Sequence, residues 1–154
     1  MSIHSTWLAA VLIALALPVA AGIRVGVTPG ALADSIEVAA TEAKTQGLDV
    51  EVVEFSDWTT PNLALENGDL DLNYFQHQAF LDNALKETGY HLRSVALGIL
   101  PNIGLYSEKY QSLDAIPEGA RVAIASDPVN QGRGLALLET AGLIGLTPGI
   151  GWQA

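Results

Sequence analysis

Short apolar runs alternate with segments of helical spacing along most of the chain. Apolar runs bounded by turn residues predict strands, and the alternation of apolar with acidic residues at 50–55 predicts one exposed strand face. The predicted strands are residues 23–27, 50–55, 70–74, 90–97, 103–106 and 121–125. Helical spacing predicts helices over residues 31–46, 61–66, 78–88 and 132–141. Strands that alternate with helices through short connections predict an α/β fold with a mostly parallel sheet.

Glycine, proline and small polar residues mark the ends of these elements. Gly47 and Gly89 each stand where the C-terminal cap of a helix belongs. Thr60 followed by Pro61 is typical of an N-cap and the first position of a helix. Residues 112–114 predict a single capped helical turn before Pro117.

The strand and helix pattern appears twice, once before about Gly98 and once after it. We therefore expect a first α/β lobe over residues 23–98 and a second over residues 99–154. The second lobe has too few predicted elements for a closed sheet, so it is expected to be partial, with the chain stopping in the middle of a domain.

Residues 1–22 are predicted to be a signal peptide. Residues 7–17 form an apolar run of the right length, Pro18 breaks it, and small residues follow at 19–22. A membrane span needs about 20 residues, which is longer than this run. The segment lacks the usual Lys or Arg before the run, so an uncleaved anchor and a core strand or helix stay open as alternatives. Export to the periplasm is expected, with membrane association if the signal is uncleaved.

Composition narrows the classes of function. The formal net charge of -10 disfavours nucleic acid and anionic membrane as partners. The chain has no cysteine, which excludes disulfides, thiolate metal sites, cysteine nucleophiles and lipid-modified cysteine. There is no G-x-S-x-G, Walker loop or G-x-G-x-x-G, and His77 and His91 lack metal-ligand spacing. We expect no enzyme activity, no cofactor and no metal.

The candidate site lies at the carboxyl ends of the predicted strands, where open α/β sheets bind ligands. Trp58 directly follows one strand and can line an apolar pocket, although a packing role is equally consistent with its position. Phe75 and His77 follow another strand, and His77 can exchange hydrogen bonds with a carboxylate or an amine. A purely structural histidine is the alternative.

Asn130 and Arg133 stand between a predicted buried strand and a helix, near the positive end of that helix. Arginine can hold a carboxylate through two parallel hydrogen bonds, and backbone N–H groups at the start of a helix add to such an anion site. The alternative is a surface arginine in a capping turn.

Several of these segments together resemble one family, the methionine-binding NlpA lipoproteins of ABC uptake systems. The resemblance is strongest in Phe75-Gln76-His77 and in Asp127-Pro128-Val129-Asn130-Gln131-Gly132-Arg133, and it extends from Ile23 to about Leu143. It implies a periplasmic-binding-protein-like fold of type II, with ligand held in a cleft between two α/β lobes. It also implies a monomer that delivers methionine or a close derivative to an ABC permease.

The same resemblance implies a role for each candidate residue. Arg133 would bind the ligand carboxylate with Asn130 beside it, Phe75 and Trp58 would enclose the thioether chain, and His77 would line the polar end. The chain lacks the cysteine of the lipoprotein members and is shorter than they are. A truncated, non-binding remnant of the family is therefore the alternative function, whereas a two-lobed enzyme or a regulator's sensor domain is disfavoured.

Overall fold

A computed structural model describes residues 22–149 of the chain, so nearly all of the predicted signal peptide lies outside the described residues. The strands are β1 (Ile23–Val27), β2 (Val50–Glu54) and β3 (Leu72–Tyr74). The helices are α1 (Ala31–Thr45), α2 (Thr60–Glu66), α3 (Gln78–Thr88) and α4 (Pro128–Thr140), with a 3₁₀ turn at Leu113–Ala115. The strands alternate with helices, which confirms the α/β fold class.

The strands form one parallel sheet in the order β2-β1-β3. Val27, the last residue of β1, is aligned with Glu54 of β2 and with Tyr74 of β3. The chain therefore leaves all three strands at the same edge of the sheet, which brings the segments after them close together.

The core lies between this sheet and α1. Val25 and Val27 on the central strand pack with Ala33 at the start of α1, and all are buried. The partly buried residues around this cluster are Ile23, Ile36, Val50, Val52 and Tyr74. Burial of apolar side chains on the face of the central strand stabilises the sheet and fixes how α1 lies against it.

Most element predictions in the first part of the chain are confirmed. The bounds of β1 and α3 agree with the prediction, and those of α1 and β2 differ by one residue at their ends. Gly47 and Gly89 have φ of 81° and 74°, the left-handed conformation expected at helix ends. The turn predicted at 112–114 is the 3₁₀ turn.

The strands predicted at residues 90–97, 103–106 and 121–125 are wrong, since none of them is a strand in the structure. A strand requires a hydrogen-bonded neighbour, and within residues 22–149 the sheet provides none for these segments. Their apolar side chains are instead exposed, as at Leu97 (96%) and Tyr106 (89%). The division into lobes at about Gly98 stays a prediction.

The start of α4 also differs from the prediction, because it begins at Pro128 and not at Gly132. The Asp127 side chain accepts a hydrogen bond from the backbone N–H of Asn130 at 2.9 Å, and Pro128 occupies the first helical position. This cap places Asn130 and Arg133 inside the helix, in its first turns. Among the described residues, no helix is long and apolar enough to cross a membrane.

Gly26, in the middle of β1, has no free space beside it for a side chain. A Cβ there would overlap the Leu70 side chain and lie 3.1 Å from Phe55 Cε2, and Leu70 is buried. We expect Gly26→Ala to lower the free energy of unfolding by about 1–3 kcal/mol through overpacking. Urea unfolding measures this, with Gly145→Ala as the control, because a Cβ at Gly145 meets no atom within 4 Å. Equal stability of the two variants would contradict the prediction.

Candidate functional site

The loop after β2 carries Trp58 and is held by the carboxylate of Asp57. One carboxylate oxygen accepts from the backbone N–H groups of Thr59 and Thr60, both at 2.8 Å. The other accepts from the Thr60 hydroxyl at 2.6 Å. These bonds, led by that of the Thr60 hydroxyl, lower the pKa of Asp57. The prediction that Thr60 is the N-cap of α2 is therefore wrong: Thr60 is its first helical residue, and Asp57 satisfies the free N–H groups.

An aromatic cluster is centred on Phe80, in the first turn of α3. The Phe80 ring lies 6.4 Å from the Trp58 ring and 6.0 Å from the Phe75 ring, measured between centroids. It lies 6.3 Å from the His77 ring, and all three pairs are edge-to-face. Phe75 is buried, whereas Trp58 is 53% exposed. Phe75 is thus the buried part of the cluster, and the Trp58 ring is accessible to an apolar group of a ligand.

His77 links this cluster to α4. Its Nδ1 accepts a hydrogen bond from the backbone N–H of Phe80 at 3.2 Å, so His77 is the N-cap of α3. The proton of the neutral ring must then be on Nε2, which lies 2.9 Å from Asn130 Oδ1 and donates to it. The ring is held from both sides and joins helices that are far apart in the sequence.

Asn130 is the centre of the polar part of the site. Its Oδ1 also accepts from Arg133 Nη1 at 2.9 Å, and its Nδ2 donates to the Asp127 carboxylate at 3.1 and 3.2 Å. The orientation of the amide is fixed, because its oxygen faces two donors and its nitrogen faces a carboxylate. Asp127, Asn130 and Arg133 are all half-buried.

Arg133 supplies the charge of the site. Within residues 22–149 its guanidinium forms no ion pair, and the one side chain that accepts a hydrogen bond from it is Asn130. Its remaining N–H groups can therefore bind an anion. A carboxylate with an apolar substituent fits this combination of arginine and aromatic rings.

The structure brings the five predicted site residues into two linked groups. Trp58 and Phe75 lie in the aromatic cluster, Asn130 and Arg133 in the polar group, and His77 contacts both. Phe80 was missed by the sequence reasoning. The sequence did contain a signal for it: Phe80 is three positions after His77, so it lies in the first turn of α3 beside the N-cap residue.

Within residues 22–149, no group of three or more His, Asp or Glu side chains could hold a metal ion. His91 instead donates its backbone N–H to Glu66 at 2.9 Å, and its ring Nδ1 lies 3.0 Å from the same carboxylate. These hydrogen bonds, first that of the His91 side chain, lower the pKa of Glu66.

Comparisons with known proteins show the family and agree with the fold. The family model described as NlpA lipoprotein matches residues 23–154. D-methionine-binding lipoprotein MetQ of Escherichia coli K12 is 48% identical over 130 residues, which are 84% of this chain and 48% of that protein. MetQ of Yersinia pestis is likewise 48% identical over 130 residues, with the same shares covered.

Solved structures give the same result. The crystal structure of the methionine-binding protein MetQ superposes with a TM-score of 0.82 at 46% identity, covering 86% of this chain and 55% of that one. A nutrient-binding protein from Burkholderia cenocepacia, solved bound to methionine, gives 0.79 at 45% identity over 84% and 54% of the two chains. The protein is a member of the NlpA lipoprotein family with the fold of these binding proteins. It spans about half the length of the curated relatives it matches.

The Asp57 cap leads to a prediction about acid stability. Because the pKa of Asp57 is lowered from its ordinary value of 3.8, the ionised carboxylate stabilises the folded state above that pH. This contribution is lost as the pH falls through the lowered pKa of the folded state. We expect Asp57→Asn to lower the Tm at neutral pH and the difference from wild type to shrink as the pH falls below 3.8. Thermal unfolding followed by circular dichroism measures this, and a Tm difference that persists unchanged in acid would contradict it.

Proposed function

We propose that this protein binds a methionine-type amino acid at the site formed by the Phe80 aromatic cluster and the Asn130–Arg133 group, and delivers it to an ABC permease. The observation on which the proposal depends is the position of His77. This residue contacts Phe80 on one side and Asn130 on the other, so an anion-binding group and an apolar group border each other. An amino acid with an apolar side chain has the same two ends.

The ligand carboxylate would bind at Arg133. The guanidinium can give two parallel hydrogen bonds to a carboxylate, and its hydrogen bond to Asn130 Oδ1 holds it in one orientation. Asn130 itself is anchored to Asp127, so binding the carboxylate would require little reorganisation of either side chain.

The ligand side chain would contact Trp58, Phe75 and Phe80. A thioether is soft and polarizable and makes favourable contacts at the edges of aromatic rings. The edge-to-face arrangement of these rings presents both edges and faces to such a group. His77 would border the polar end, where its protonated Nε2 is already engaged by Asn130.

The relatives support the ligand class and the transport role. The proteins from Yersinia pestis and Escherichia coli are named as D-methionine-binding lipoproteins, and the Burkholderia cenocepacia structure contains methionine. These proteins are binding proteins by name, which favours a role without catalysis. A monomer that works outside the cytoplasmic membrane with a permease, after export by residues 1–22, is part of the same proposal.

A second candidate is a family member that does not bind alone. The exposure of Leu97, Leu100 and Tyr106 favours it, because segments with this pattern are ordinarily covered in a complete α/β fold. The measurement below distinguishes the two candidates.

The proposed function predicts that the purified protein binds methionine and that Arg133→Ala weakens binding. A hydrogen bond to a charged group contributes about 1.5–3 kcal/mol, so the dissociation constant should rise by about tenfold to 150-fold. Isothermal titration calorimetry with L-methionine and with D-methionine measures it. Arg121→Ala, which removes an exposed arginine elsewhere in the chain, is the matched control.

Methioninamide separates the role of the carboxylate from that of the side chain. Wild type should bind methioninamide about as weakly as Arg133→Ala binds methionine. Methioninamide lacks the carboxylate of this ion pair, and the variant lacks its guanidinium. If folded wild type binds neither isomer of methionine, the second candidate is correct. If Arg133→Ala binds like Arg121→Ala, the carboxylate is held elsewhere.

A further inference from the structure

Three side-chain amides, those of Asn62, Asn73 and Gln76, form a closed hydrogen-bonded network. Asn62, in the first turn of α2, donates to Gln76 Oε1 at 3.0 Å and accepts from Gln76 Nε2 at 2.7 Å. Asn62 Oδ1 also accepts from Asn73 Nδ2 at 2.9 Å. Asn73 Nδ2 reaches the Pro61 carbonyl at 3.2 Å, and Gln76 Nε2 reaches Asn73 Oδ1 at 3.3 Å. Asn62 is 2% exposed, so water cannot replace these bonds.

This network connects the parts of the chain that hold the site. Asn62 belongs to α2. The loop before α2 carries Trp58 and is held by the Asp57 carboxylate, and Asn73 lies in β3. Gln76 stands between Phe75 and His77 in the sequence. The amide pair of Asn62 and Gln76 therefore fixes α2 relative to the short segment from which Phe75 and His77 extend.

We propose that Asn62 is a positioning residue for the ligand site and acts through Gln76. It holds residues 75–77 so that His77 reaches both the backbone N–H of Phe80 and the side chain of Asn130. Asn62 itself contacts neither Phe80 nor Arg133 through any hydrogen bond of the described residues. The expected effect on ligand binding rests on the proposed function, whereas the expected effect on the position of His77 does not.

The chemistry of the amide pair makes this role specific to asparagine. Each amide presents one donor and one acceptor to the other, and a carboxylate presents acceptors only. With aspartate at position 62, either orientation of the Gln76 amide places its oxygen against a carboxylate oxygen. In a buried site an unsatisfied or repelling pair of this kind is costly, so residues 75–77 should shift to relieve it.

The test compares Asn62→Asp with Asn67→Asp. Asn67 is the C-cap residue that directly follows the same short helix, and it is exposed, so its variant carries the same added charge outside the network. Calorimetry with methionine is done at a temperature where circular dichroism shows all proteins to be folded. We expect Asn62→Asp to weaken binding by about tenfold to a hundredfold and Asn67→Asp by less than about twofold. Equal affinity of folded Asn62→Asp and wild type would overturn the proposal.

A second measurement needs no ligand. Nitrogen-15 NMR of the His77 ring reports the tautomer, which in wild type has the proton on Nε2 and an acceptor at Nδ1. We expect Asn62→Asp, and not Asn67→Asp, to move the His77 ring signals toward the average of the two tautomers and to shift the Phe80 amide signal. Unchanged His77 and Phe80 signals would overturn the positioning role.

These readouts separate the two hypotheses. If wild type binds no methionine, the proposed function fails, and the His77 signals still decide whether Asn62 positions the segment. If Asn62→Asp does not fold, Gln76→Glu replaces it, because this change removes the donors to Asn62 and Asn73 at a half-buried position. The same signal changes are expected, and their absence has the same meaning.

Discussion

The parallel pairing of β1 with β2 on one side and β3 on the other constrains the rest of the structure. Because all three strands run in one direction, the chain leaves each of them at the same edge, and Val27, Glu54 and Tyr74 end side by side. The loop with Trp58 follows β2, and the segment with Phe75 and His77 follows β3. The direction of the strands therefore brings the residues of the aromatic cluster near each other. Local hydrogen bonds, such as those of Asp57 and His77, then set their positions.

Strong local signals explain which parts of the fold could be predicted. The apolar run of β1 and the helix that ends at Gly89 have patterns which local physics alone determines. Residues 90–97 and 121–125 also contain apolar stretches typical of strands, but a strand also depends on a partner, and the apolar pattern carries no information on pairing. The cap of α2 was misassigned because Thr60 is a good capping residue in isolation, whereas Asp57 takes three hydrogen bonds at once.

The candidate site was predictable residue by residue but not as a geometry. Trp58, His77 and Arg133 were selected because their types suit a carboxylate with an apolar side chain and because they follow strands. Their ligand roles stay predictions. Which of them touch depends on the contact of His77 with Asn130, and no local pattern encodes a contact between residues 53 apart. Phe80 was not predicted because its central position in the cluster depends partly on the Trp58 ring, which belongs to a separate segment after β2.

The contact between His77 and Asn130 also has a consequence for the order of folding. The sheet consists of β1, β2 and β3 and packs against α1, and α4 is part of neither. The pieces around β1 can thus form while α4 is still detached. The hydrogen bond between His77 and Asn130 forms only once α4 has docked, so the capacity to hold a charged ligand depends on a contact that the sheet itself does not need.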